Sequence, residues 1–266
     1  GLRTMGDIAR CSLGKPGEFY SEELLYQMFG INAELLIDHA WGYESCTIAQ
    51  IRAYKPQSSS LGCGQVLPCP YTADKARIVV QEMIDGISLE LVEKRLVTDQ
   101  LVLTVGYDIE NLTRPEIRKV YKGPVTTDRY GRRVPKHAHG TWNLPRATSS
   151  SSELLEAMAA LYDKIVNPAL LIRRMSLSAC HVVNEKMAKE REQKETFEQL
   201  DLFTDYAKKE AKEKEEQKKR ERERRMQEAL LTIKKKYGKN AVLRGMNFEE
   251  GATAKERNGQ IGGHQA

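Results

Sequence analysis

Residues 72–107 read TADKARIVVQEMIDGISLELVEKRLVTDQLVLTVGY, and the hydrophobic period changes inside them. Over 72–96 the apolar positions Ala76, Val79, Val80, Met83, Ile84, Ile87, Leu91 and Leu96 recur every three to four residues. That spacing predicts a long amphipathic helix. Over 100–107 the apolar residues alternate with polar ones or run together, which predicts a strand. A long helix running straight into a strand needs a sheet to pack against, so the stretch points to a layered α+β domain.

The flanking segments extend that pattern. Residues 58–67 read as a strand, broken by Gly62 and Gly64, after a connector over 46–57. Residues 108–138 form a long polar insertion rich in Arg, Lys, Pro and Gly. A strand follows over 140–148. Next comes a helix over 151–166 with Leu154, Leu155, Met158, Leu161 and Tyr162 on one face, then a closing strand over 169–183. The order β-α-β-β-α-β describes a small α+β domain with both helices on one face of the sheet.

Outside this domain the period is lost. Residues 1–45 read as short helices. Thr4 is the expected N-cap of the first, Ser21 and Gly30 bracket the second, and Asn32 caps a third over 33–41. Residues 187–236 mix Lys, Arg and Glu so densely that a solvated helix or disorder is expected. Gly251, Gly259, Gly262 and Gly263 mark a flexible end. The organisation is then helices over 1–45, a linker over 46–57, a domain over 58–184 and a charged tail over 185–266.

Composition excludes several classes. The 266 residues are 30% charged, yet the net charge is only +5, so the two signs are interspersed. No apolar run approaches the ~20 residues that span a bilayer. The five cysteines form no CxxC pair, which predicts reduced thiols rather than a zinc site. The opening Gly-Leu-Arg-Thr predicts a fragment whose N-terminus lies upstream.

No catalytic constellation stands out. Asp99 and Asp108 flank one strand without a third carboxylate. Cys180 and His181 are adjacent, so on a strand they face opposite ways. His137 and His139 share a face in an extended chain but lack a third ligand. No Walker loop or GxGxxG is present. Nucleic-acid contact is better supported. Ser58, Ser59, Ser60 and Gly62 can meet phosphates, and Arg173 and Arg174 lie on the closing strand. Lys119, Lys122, Arg129, Arg132, Arg133 and Lys136 make the insertion basic. Beyond the domain stands Gln199-Leu200-Asp201-Leu202-Phe203, directly before the charged run. It reads either as a local helix cap or as a peptide carried for a partner's groove, with Leu202 and Phe203 as anchors.

Three of these segments together resemble the C-terminal half of Y-family translesion DNA polymerases, the UmuC/DinB-like (ImpB/MucB/SamB) group. Residues 1–9, Gly-Leu-Arg-Thr-Met-Gly-Asp-Ile-Ala, look like the hairpin and second helix of the family's helix-hairpin-helix thumb. Residues 55–62, Lys-Pro-Gln-Ser-Ser-Ser-Leu-Gly, the β-α-β-β-α-β order and residues 171–177, Leu-Ile-Arg-Arg-Met-Ser-Leu, look like the little finger. Residues 199–203 match the bacterial sliding-clamp-binding motif. The likeness covers roughly 1–205, and the insertion is longer than in DinB-like members.

The resemblance implies roles for individual residues. Backbone amides at Gly1, Arg3 and Thr4 would grip a DNA phosphate. Lys55, Ser58, Ser59, Ser60, Lys136, His139, Thr141, Arg173 and Arg174 would lie against the primer-template backbone. Gln199, Leu200, Asp201, Leu202 and Phe203 would dock on the clamp's beta subunit. Two Mg2+ ions would serve a catalytic half that nothing here matches, so this chain holds no cofactor of its own. A cytoplasmic, nucleoid-associated protein of damage tolerance, with no membrane partner, is the expectation. The rival expectation is a non-enzymatic nucleic-acid or protein interaction module whose partner site is the charged helix over 208–225.

Overall fold

The structure is a computed structural model; it describes residues 1–44, 46–54, 59–128, 131–195, 206–261 and 264–265. The chain divides into two compact units, residues 1–57 and 58–266.

The first unit is helical: α1 Met5–Cys11, α2 Glu22–Phe29, α3 Asn32–Ala40 and α4 Ile48–Ala53. Cys11, Leu25 and Ala33 form its small core, with Leu2, Ile8, Leu24, Tyr26 and Ile37 packed around them. Thr4 caps α1 through a reciprocal box with Asp7. Gly30 ends α2 at φ 59°, a left-handed value that glycine adopts without a Cβ penalty. Two expected caps differ. Asn32 is the first residue of α3 rather than its cap, and the cap position, Ile31, has no side chain to offer. The Ser21 hydroxyl stands at the cap of α2 but donates to Glu23 (3.3 Å) instead of accepting from an amide.

The second unit is mixed α and β. Its elements are β1 Leu61–Tyr71, α5 Ala73–Lys94, β2 Leu96–Tyr107, α6 Glu110–Thr113, α7 Pro115–Val120, β3 Val125–Thr127, β4 Arg133–Pro135, β5 Ala138–Thr148, α8 Ser151–Ile165, β6 Ile172–Cys180, β7 Val183–Asn184, α9 Glu185–Glu195, α10 Tyr206–Tyr237 and α11 Ala254–Arg257, and a short β8 Gln260–Ile261 pairs with β9 His264–Gln265. The main sheet is antiparallel in the order β1-β6-β2-β5, with β7 paired to the start of β2.

The alternation of β2 and β6 sends Leu101, Leu103, Val105, Met175, Leu177 and Ala179 inward. These pack on Val79, Val80, Met83, Ile84, Ile87 and Leu91 of α5 and on Leu154, Met158 and Leu161 of α8. Both helices therefore cover one face. The turn from α5 into β2 is a single residue, Arg95, held left-handed at φ 54°.

Four segments depart from the sequence reading. β1 runs unbroken through Gly62 and Gly64, which pair with Ser178 and Ser176. The closing strand stops at Cys180, where His181 turns left-handed (φ 52°) and leads into β7. The insertion is not irregular throughout: it holds α6, α7 and the β3–β4 hairpin. The stretch 244–254 is fastened rather than loose. Glu82 of α5, buried, accepts from the amides of Thr253 (2.8 Å) and Ala254 (3.0 Å) and from Asn247 Nδ2 (2.8 Å). Gln65 of β1 donates to Thr253 Oγ1 (2.9 Å), and Arg244 pairs with Asp85 at 2.7 Å.

The charged segment is a helix, and one side of it is docked. Gln227 of α10 is buried and donates to Ser149 O (3.0 Å) and Ser151 Oγ (2.8 Å). Glu223 accepts from Ser152 N (2.8 Å) and Ser150 Oγ (2.7 Å) at the start of α8, where free amides and the helix dipole favour an anion. Among the described residues no helix is long and apolar enough to cross a membrane.

Candidate nucleic-acid interface

The face of the main sheet opposite α5 and α8 is assembled row by row by strand register. One row is Gly64, Ser176, Thr104 and His139; the next is Gly62, Ser178, Val102 and Thr141. Beside them lie Val66, Arg174 and Gly106 at one end and Cys180, Gln100 and Asn143 at the other. The signal for this face is present in β6, where Arg174, Ser176, Ser178 and Cys180 alternate with the buried Met175, Leu177 and Ala179. Ser176, Ser178, Thr104, Gln100 and Asn143 join the face without having been singled out in the sequence.

The face is polar, small and almost free of negative charge. β1, β2, β5 and β6 together carry one carboxylate, Asp99, and it is hydrogen-bonded to His181 Nδ1 at 2.9 Å. Cross-strand bonds hold the polar side chains in place. Thr104 Oγ1 lies 2.9 Å from His139 Nδ1, and Gln100 Nε2 donates to Asn143 Oδ1 at 2.9 Å. A Cβ on Gly106 would stand 2.6 Å from Arg174 Cγ and 2.7 Å from its Nε. The missing side chain of Gly106 is thus the seat over which Arg174 lies.

The structure brings together His139, Thr141 and Arg174 on this face. Arg173 does not join them. The step from Ile172 to Arg174 on β6 faces the single step from Tyr107 to Gly106 on β2, so Arg173 is the extra residue of a bulge. Its guanidinium donates to Pro68 O (3.1 Å) and lies 3.8 Å from the Asp108 carboxylate. Ser59 and Ser60 precede β1, exposed, and the Ser59 carbonyl accepts from Val182 N (2.9 Å). Lys136 is exposed at the entry to β5 and its amide donates to Pro124 O (2.8 Å). Lys55 and Ser58 lie outside the described residues, as do Gln199, Leu200, Asp201, Leu202 and Phe203.

Gly1, Arg3 and Thr4 belong to the first unit. The amides of Arg3 (3.0 Å) and Thr4 (2.9 Å) both donate to Asp7 Oδ2. The Arg3 amide, the Thr4 hydroxyl and amide, and Arg10 hold the Asp7 carboxyl well below the usual range. A phosphate at these amides would have to displace Asp7. The insertion places Lys119, Lys122 and Arg133 at the surface, while Arg132 pairs with Asp128 at 2.8 Å.

Among the described residues no three His, Cys, Asp or Glu groups converge. Asp99 is turned to His181, and Asp108, at the other end of β2, accepts from the amide of Glu110 (2.8 Å). The thiol nearest the sheet core is unreactive in kind: burial pushes Cys63 up to about 11. No protein-family model matches the chain, and no curated protein matches it either.

Proposed function

We propose that the second unit holds DNA by its sugar-phosphate backbone on the open sheet face, as the little finger of a Y-family-like lesion-bypass polymerase does. The observation that carries this reading is the face itself: Gly, Ser, Thr, Asn, Gln, His and Arg in register, with one carboxylate, hydrogen-bonded to His181, in four strands. Small hydroxyl and amide groups let a backbone approach closely without reading bases. Arg174 supplies the charge. The antiparallel β-α-β-β-α-β order with both helices behind the sheet agrees with the resemblance.

In this reading the first unit is the partial thumb and Gln199–Phe203 is a peptide that tethers the enzyme to a bacterial sliding clamp. Tethering raises the local concentration of a weakly held polymerase at a primer end. Phosphoryl transfer and its Mg2+ belong to a palm outside these 266 residues, and no residue here is given a catalytic step.

Primer-template binding by Arg174→Gln, followed by anisotropy across a salt series, tests the face. The slope of log affinity against log salt should fall by about 1, as for the loss of one phosphate contact. An unchanged slope and affinity overturn the assignment. In the same preparation Leu202→Ala with Phe203→Ala should abolish clamp capture and leave DNA binding intact; undiminished capture removes the clamp from the proposal.

A further inference from the structure

Helix α10 has a second charged surface. Its docked side is Arg220, Glu223, Arg224, Gln227 and Leu231, spaced three or four residues apart. The opposite side carries Lys218, Arg222, Arg225 and Lys236, all exposed. Lys218, Arg222 and Arg225 rise about 10 Å along one face at ~1.5 Å per residue.

The glutamates of the helix are drawn off this face. Glu216 pairs with Arg220 (3.3 Å), Glu228 pairs with Arg224 (3.0 Å), Glu221 accepts from Gln217 (3.3 Å), and Glu223 sits on the start of α8. Lys218, Arg222, Arg225 and Lys236 keep no ion pair among the described residues. Glu215 and Glu221 stand on its two flanks.

We propose that this stripe is a second nucleic-acid contact, taking the phosphate backbone of a DNA segment other than the one on the sheet. It rests on the proposed reading for the class of partner, not for its geometry. α10 is held by the helical layer, through Glu93 of α5 with Lys235 (2.8 Å) and Ser149–Ser152 with Glu223, Arg224 and Gln227. The open face looks the other way, so one short duplex cannot lie on both. Guanidinium groups match phosphate oxygens in pairs. A lipid surface would need an apolar side next to the basic one. Here Leu230 and Leu231 are turned toward the docked side, the stripe is continued by Ala229 and Thr232, and on its flank the exposed Met226, Ile233 and Tyr237 stand apart among charged residues rather than forming a continuous apolar side.

The test uses the full chain and a labelled primer-template with a long single-stranded template arm. Lys218→Gln/Arg222→Gln/Arg225→Gln should weaken binding by at least about tenfold near 0.1 M salt and lower the salt slope by about 2–3. It should also shorten the DNA needed for full affinity, with helical circular dichroism and Tm unchanged. If affinity, slope and length requirement all stay as in the parent chain, the proposal is overturned, whatever Arg174→Gln does. If Arg174→Gln is silent while the triple variant loses DNA, the sheet reading fails and the stripe stands. Loss of binding only to phosphatidylserine vesicles, with DNA binding intact, also overturns it. Should the triple variant unfold, Lys218→Gln and Arg225→Gln singly should each lower the slope by about 1; two unchanged slopes refute the stripe.

Discussion

α5 and α10 are the two long helices of the second unit, and they are attached to it in opposite ways. α5 has 22 residues and buries twelve of them, ten being apolar or small and the others Glu82 and Ser88. α10 has 32 residues, and among its described side chains Gln227 alone is buried. α5 is fixed by area removed from water, a term that is non-directional and roughly proportional to that area. α10 is fixed by a few directed hydrogen bonds whose donors and acceptors were already satisfied in water, so the net gain is small. The same domain thus has a helix that holds the fold and a helix that the fold holds.

The largest effect should come from the apolar side. Ile84 is fully buried between the sheet and α8, and Ile84→Ala should cost about 3 kcal/mol, seen as a fall in Tm and in the denaturant midpoint. A loss below that of any α10 variant would break the comparison. Next is the polar exception on α5. Glu82→Ala strips the acceptor from the Thr253 and Ala254 amides and from Asn247, and should cost about 2 kcal/mol. Hydrogen exchange should rise at Thr253 and Ala254 and stay protected in β2 and β6; a global rise would mean that the C-terminal strap is integral to the core. The smallest effect is at α10. Gln227→Ala leaves Ser149 O and Ser151 Oγ short of a donor and should cost about 1 kcal/mol, with exchange rising along α10 alone.

The same contrast explains what could be read in the sequence. The core of α5, β2, α8 and β6 announces itself because burial imposes its period on the residues, and each apolar side chain carries that signal by itself. Gly62 and Gly64 were misleading as breakers: they face the open side, where a strand needs no side chain to keep its hydrogen bonds. The polar attachments left no such trace. Glu82 reads as one more charged residue on a helix, and Gln227 and Glu223 are lost in a charged run, because a directed hydrogen bond depends on a partner some 70 to 170 positions away. The open sheet face was half legible. Arg174, His139 and Thr141 carry charge or hydrogen-bonding groups in a predicted strand, whereas Ser176, Ser178 and Thr104 acquire meaning only from register. Arg173 was legible as a twin of Arg174, and the bulge that separates them was not.

The strand order also sets a timetable. β1 finds its partner β6 about 100 residues later in the chain, and β6 must slot between β1 and β2 rather than add to an edge. At synthesis rates of about 5–20 residues per second, β1 waits roughly 5–20 s for the segment that completes the sheet. Throughout that interval the first half, the parallel β1 and β2 joined by the crossover helix α5, has a central gap and two unsatisfied strand borders. Assembly is therefore governed by the last strand to emerge, and any agent that shields those borders during translation would decide the yield of folded protein.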